Sequence, residues 1–129
     1  MKVLLAVNYS PATGALRDMI NLNKDTPIIY PAREYDSKLM YRVLREHSPS
    51  RVLMDINYGL PGKVNIFPVR NTAKLMKLIG LDIQTQLLGI GETVELVNLV
   101  NGIGIPTISK SIESAKKMSA FLKGVMLVV

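Results

Sequence analysis

The chain has 129 residues, enough for one domain that buries about two thirds of its unfolded surface and too few for a second independent core. Its 48% apolar and 20% charged content exclude a disordered chain, and the absence of cysteine excludes a disulfide framework or a thiolate metal site. A net charge of +6 points to an anionic partner (nucleotide, nucleic acid or phosphometabolite), although the same charge also serves solubility.

Residues 2–8, Lys-Val-Leu-Leu-Ala-Val-Asn, form an apolar run of the kind found in a strand buried on both faces. Its five apolar residues are too few for a signal-peptide core, and no run in the chain approaches the roughly 18 residues of a membrane span. A soluble, cytoplasmic protein with no membrane association is expected. Tyr9-Ser-Pro-Ala-Thr-Gly14 breaks the strand, and Leu16, Met19 and Ile20 recur at helical spacing, which predicts a helix over 13–22 capped by Ser10 or Thr13. A turn at 23–27 and a short strand at 27–30 follow, stopped by Pro31. Asp36 is placed to cap a helix over 37–47, in which Leu39, Met40, Val43, Leu44 and His47 share one face.

A strand at 51–57 runs into a loop built on Gly59, Pro61 and Gly62. A short strand is conceivable at 64–67, but Pro68 reduces it to an edge or a loop. Asn71 is expected to cap a helix over 72–79, with Gly80 just past its end. Residues 81–88 are ambiguous, the alternation of Ile83, Thr85 and Leu87 suggesting a strand. Gly89-Ile-Gly91 then reads as the opening of a helix over 92–101. A strand at 105–108, a helix over 111–123 capped by Ser109 or Ser111, and an apolar strand at 125–129 complete the chain. The pattern predicts a single Rossmann-like α/β domain spanning 1–129. Its one doubly wound, mostly parallel sheet has about five strands (2–8, 27–30, 51–57, 105–108 and 125–129), with helices on both faces. The last strand carries no polar residue, so it is either central or covered by a second subunit, and a homodimer is expected.

Asp55 is the one acidic residue inside an apolar strand-like run, at the end of a central strand and beside a glycine loop. Open α/β sheets keep their sites at such strand ends. Ser10, Thr13 and Gly14 would cradle phosphate at a helix N-terminus, Asn57, Gly59 and Gly62 would line the same crevice, and Lys63 would add charge. Neither loop is a P-loop or a dinucleotide fingerprint. Under an alternative reading Asp55 is a catalytic group or Mg²⁺ ligand of a nuclease or phosphodiesterase, with Glu34, Asp36 or Glu92 as its nearest candidate partners. Apart from that alternative no metal site is expected, and no cofactor is specified. His47, the only histidine, is better placed to meet free helix-end carbonyls than to act in a triad.

Arg33, Arg42 and Arg45, with Tyr35 and Tyr41 nearby, and Arg70, Lys74 and Lys77 form two basic faces suited to single-stranded nucleic acid or simply to solvent. Val52-Leu-Met-Asp-Ile-Asn-Tyr-Gly59 also distantly resembles the ligand-loop strand of CRISPR-associated Rossmann-fold sensor domains. The resemblance implies a cyclic oligoadenylate bound across a dimer, although Tyr58 stands where those loops carry threonine or histidine. The leading expectation is a binding module for a phosphate-bearing ligand. A metal-dependent nuclease and a purely structural assembly protein are the alternatives.

Overall fold

A computed structural model describes residues 1–8, 12–109 and 120–121. Five strands and four helices alternate along these residues: β1 (Lys2–Ala6), α1 (Ala12–Leu22), β2 (Thr26–Ile29), α2 (Ser37–His47), β3 (Arg51–Asp55), α3 (Phe67–Leu78), β4 (Gln86–Gly91), α4 (Val94–Asn101) and β5 (Thr107–Ser109). The strands form one sheet in the order β2-β1-β3-β4-β5, with every pairing parallel. This is the flavodoxin-like doubly wound order, in which the chain reverses direction across the sheet between β1 and β3.

The apolar side chains divide into two layers. Met40, Val43 and Leu44 of α2, Val69 and Met76 of α3, and Leu96 and Val100 of α4 pack with Leu4, Val52 and Met54 on one face. Leu16 and Ile20 of α1 and Phe121 pack with Val3, Leu5 and Leu53 on the other. Helices therefore cover both faces, and β3, buried along its whole length, is the centre of the sheet. None of the described helices is long and apolar enough to cross a membrane.

Local signals explain most element boundaries. The Asp36 side chain accepts from the Leu39 amide at 2.9 Å and caps α2, as its position predicts. Gly80, at φ +76°, follows the end of α3 in the left-handed conformation that favours glycine. Strand β3 ends at Asp55 rather than 57, because Tyr58 N–H turns back to the Asp55 carbonyl.

Three expectations are corrected. Helix α3 starts at Phe67, so Asn71 lies inside it and caps nothing. Pro68 sits in its first turn, where a missing N–H costs no hydrogen bond, and Asn65 Oδ1 accepts from Phe67 N at 2.9 Å. Gly89 and Gly91 do not open a helix but lie within β4. A Cβ at Gly89 would stand 3.1 Å from Thr107 Cγ2, and one at Gly91 only 2.5 Å from Val97 Cγ2, so close packing explains both glycines. Helix α4 starts after them, at Val94, with Thr93 as its cap. Within 81–88 only the end is strand, and Ile83 is 93% exposed in the preceding turn. The expected strand over 125–129 and most of the expected helix over 111–123 lie outside the described residues, as does the homodimer argument drawn from that strand.

Candidate functional site at the carboxyl ends of the strands

Parallel order brings the ends of β1, β3 and β4 to one edge of the sheet. Asp55 closes β3 and is fully buried; its Oδ2 accepts from the Asn8 amide at 2.5 Å. Asn8, two residues past β1, also uses its side chain. Its Oδ1 accepts from Gly59 N at 2.9 Å, and its Nδ2 donates to Glu92 Oε1 at 3.4 Å. Glu92 directly follows β4, and its other oxygen, Oε2, accepts from Gly62 N at 2.9 Å. One asparagine and one glutamate thus tie three strand ends to a single glycine loop.

The loop is braced from within. The Asn57 amide nitrogen donates to the carbonyls of Leu60 at 3.1 Å and Lys63 at 2.8 Å, and the residue is fully buried. Those two carbonyls fix which amide atom faces them. Gly59 (φ +86°) and Gly62 (φ +79°) both need the left-handed region, but only Gly59 is also crowded. A Cβ there would stand 3.0 Å from Tyr35 N and 3.2 Å from Arg33 O.

A tyrosine cluster supports this close approach. Tyr30 meets Tyr58 edge-on at 5.1 Å between ring centroids and stacks with Tyr35 at 6.3 Å, while Tyr35 meets Phe67 edge-on at 5.9 Å. The Tyr58 hydroxyl donates to the Ala32 carbonyl. Tyr35 OH donates to Asn71 Oδ1 at 2.7 Å and lies 3.0 Å from Thr72 Oγ1. Loss of hydration on burial pushes the Tyr35 and Tyr58 phenols up to about 12 and also raises that of Tyr30.

The structure brings together Asp55, Asn57, Gly59 and Gly62 of the expected set, with Lys63 exposed at the loop's end. Thr13 and Gly14 lie in the first turn of α1, Gly14 exposed, while Ser10 lies outside the described residues. Glu34 is exposed in the β2–α2 loop, and Asp36 is engaged as a cap. His47 is in the last turn of α2. Since α2 runs back across the sheet, that turn lies towards the opposite edge from Asp55. Arg33 is exposed in the β2–α2 loop, Arg42 and Arg45 are exposed on α2, and Arg70, Lys74 and Lys77 are exposed on α3. Among the described residues, no three His, Cys, Asp or Glu side chains converge as a metal-ligand group.

Asn8 is the functional residue that sequence reasoning misses. Its one signal is a polar side chain at the end of the first apolar run. Glu92 is visible as an acid after a glycine pair, but its contact with the Gly62 loop depends on β4 lying beside β3.

No family model and no curated protein sequence matches the chain. Its fold, a flavodoxin-like doubly wound α/β domain, has solved counterparts. A response regulator from Desulfuromonas acetoxidans superposes with a TM-score of 0.66 over 97% of this chain and 98% of that one, at 13% identity. A LuxR-family two-component response regulator from an Aurantimonas species gives 0.63 over 98% and 88%, at 20% identity. The BeF3-activated N-terminal receiver domain of Klebsiella pneumoniae RstA gives 0.60 over 94% and 95%, at 18% identity. What the chain shares with these proteins is the flavodoxin-like doubly wound fold.

Proposed function

We propose that this domain is a binding module for a small phosphate-bearing ligand, taken at the carboxyl ends of β1 and β3 by the loop that carries Gly59, Gly62 and Lys63. The observation that carries this reading is the 2.9 Å hydrogen bond from Gly62 N to the Glu92 carboxylate. The loop offers its backbone N–H to an oxyanion, here the chain's own Glu92 carboxylate. A phosphate oxygen makes the same contact when Glu92 swings aside. Lys63 at the loop's end and the first turn of α1, which contains Thr13 and Gly14, add favourable field for the incoming charge.

The nuclease alternative is less well supported, because Asp55 is fully buried and its Oδ2 is engaged by the Asn8 backbone amide. The test is a thermal-shift screen with inorganic phosphate, mononucleotides, cyclic dinucleotides and oligoadenylates, with and without Mg²⁺. Beryllofluoride is included because one receiver domain of this fold is described as BeF3-activated. A ligand at 100 times its Kd stabilises the domain by about 2.7 kcal/mol. Lys63→Ala should weaken binding and flatten its salt dependence. An unchanged melting temperature with every anion overturns the reading, and Mg²⁺-dependent cleavage lost in Asp55→Asn favours the hydrolytic alternative.

A further inference from the structure

We propose that the outward face of α2 and α3 is a docking surface for single-stranded nucleic acid, separate from the crevice at the strand ends. Lys38, Arg42 and Arg45 on α2, and Arg70, Lys74 and Lys77 on α3, share the same spacing, i, i+4, i+7. Each trio therefore makes a row along its helix, with about 6 Å and then 4.5 Å of rise between successive cations. All six residues are exposed, and the rows lie opposite the buried sets Met40, Val43 and Leu44 of α2 and Val69, Thr72 and Met76 of α3. The helices touch, since Ser37 Oγ donates to Asn71 Oδ1 at 2.9 Å, so the two rows form one field.

Among the described residues, no salt bridge engages these six cations. Glu46 is the only acidic residue in the two helices. The one ion pair among the described residues joins the Met1 amino group to Asp25, elsewhere on the molecule.

Charge alone fits any polyanion; the groove between the helix ends narrows the choice. An open groove of about 650 Å³ separates the last turns of α2 and α3, with Tyr41, Arg45 and Leu78 along it. The Arg45 guanidinium lies over the Tyr41 ring, 5.7 Å from its centroid, and its Nη1 donates to the Tyr41 hydroxyl at 2.9 Å. Leu78 is 75% exposed beside this pair. A flat guanidinium–phenol pair and a bare leucine present stacking surfaces to an unpaired base, while the flanking rows take the phosphates. A duplex keeps its bases stacked inside and leaves the groove empty. An acidic peptide without aromatic residues, such as polyglutamate, matches the charge but brings no flat face to it.

The test is fluorescence anisotropy of a labelled oligouridylate 12-mer with the full chain, between about 50 and 200 mM salt. If all six cations engage phosphate, log K falls against log salt with a slope of about −4, and Arg42→Ala/Lys74→Ala reduces it to about −3. Tyr41→Ala should lower affinity at least about fivefold at both salt concentrations, with less change in slope. The control Arg17→Glu, on α1 across the sheet from this face and equal in charge change to the double alanine variant, should leave binding in place. The proposal is overturned by absence of binding at the lower salt concentration, by equal loss in the control variant, or by polyglutamate displacing the oligonucleotide as well as unlabelled oligouridylate does.

Discussion

Gly59 holds the backbone of Tyr35 so close that a Cβ on the glycine would stand 3.0 Å from the tyrosine nitrogen. Two loops that follow neighbouring helix–strand units are therefore fitted to one another through a missing side chain. Gly59→Ala should destabilise the domain by about 2–4 kcal/mol, combining left-handed strain with overpacking against backbone. Gly62→Ala carries the strain alone, because nothing lies within 4 Å of its Cβ position. Its cost should be about 1 kcal/mol. Urea denaturation of both variants separates the two terms, and equal losses would show that crowding contributes nothing.

Asn57 braces the glycine loop from within. Its amide nitrogen is engaged by the Leu60 and Lys63 carbonyls, and its Oδ1 is buried. Asn57→Ala should cost about 1–3 kcal/mol. Asn57→Asp should cost more, because an ionised carboxylate would face two carbonyl oxygens and has no proton to donate. A stability order of Asp above Ala would disprove the bracing role.

Glu92→Gln leaves an oxygen that can accept from Gly62 N–H but removes the charge. Hydrogen bonds to ionised acceptors exceed neutral ones by about 1 kcal/mol, so inorganic phosphate should bind roughly fivefold more tightly to the variant. Titration calorimetry reads this directly. Weaker phosphate binding in Glu92→Gln would mean that Glu92 assists the ligand instead of occupying its place.

The buried tyrosines set an alkaline limit on stability. Tyr35 and Tyr58 keep their protons up to about 12 in the folded domain, mainly through loss of hydration, whereas an unfolded chain gives them up near 10. Between those values the unfolded state binds fewer protons, so stability is full below pH 10 and falls as pH rises through the window to 12. Phenolate absorbance should show the Tyr35 and Tyr58 phenols, and with them the raised Tyr30 phenol, titrating late and together with the loss of near-ultraviolet circular dichroism. Tyr58→Phe should remove one of them. Two phenols titrating near 10 in the folded domain would refute this account.

The legible parts of the fold are those whose signals are local. The apolar run before Asn8, the Asp36 cap and the Gly80 stop each act within a few residues, and β1, β2, α2 and β3 follow from them. Strand β4 hides because Gly89 and Gly91 look like loop punctuation. Their purpose is to admit Thr107 and Val97, neighbours that only the tertiary fold supplies. Pro68 misleads for a related reason, since the same missing N–H that breaks a strand is harmless in the first turn of a helix. Asp55 and its loop stand out because acid, strand end and glycines are contiguous in sequence. Asn8 and Glu92 meet that loop across 51 and 30 residues, respectively, and no local pattern announces either contact.

Tyr35 and Ser37 both end on Asn71 Oδ1, one from the loop before α2 and one from its first residue. The entry to one helix is thereby latched to the middle of the next, and the tyrosine cluster beneath extends the latch to the loop that carries Gly59. Helices α2 and α3 are held in fixed phase, so a partner lying across them meets cations whose separation is set before it arrives. Less ordering entropy is then lost on association. Substituting Asn71 would loosen that alignment without removing a single charge.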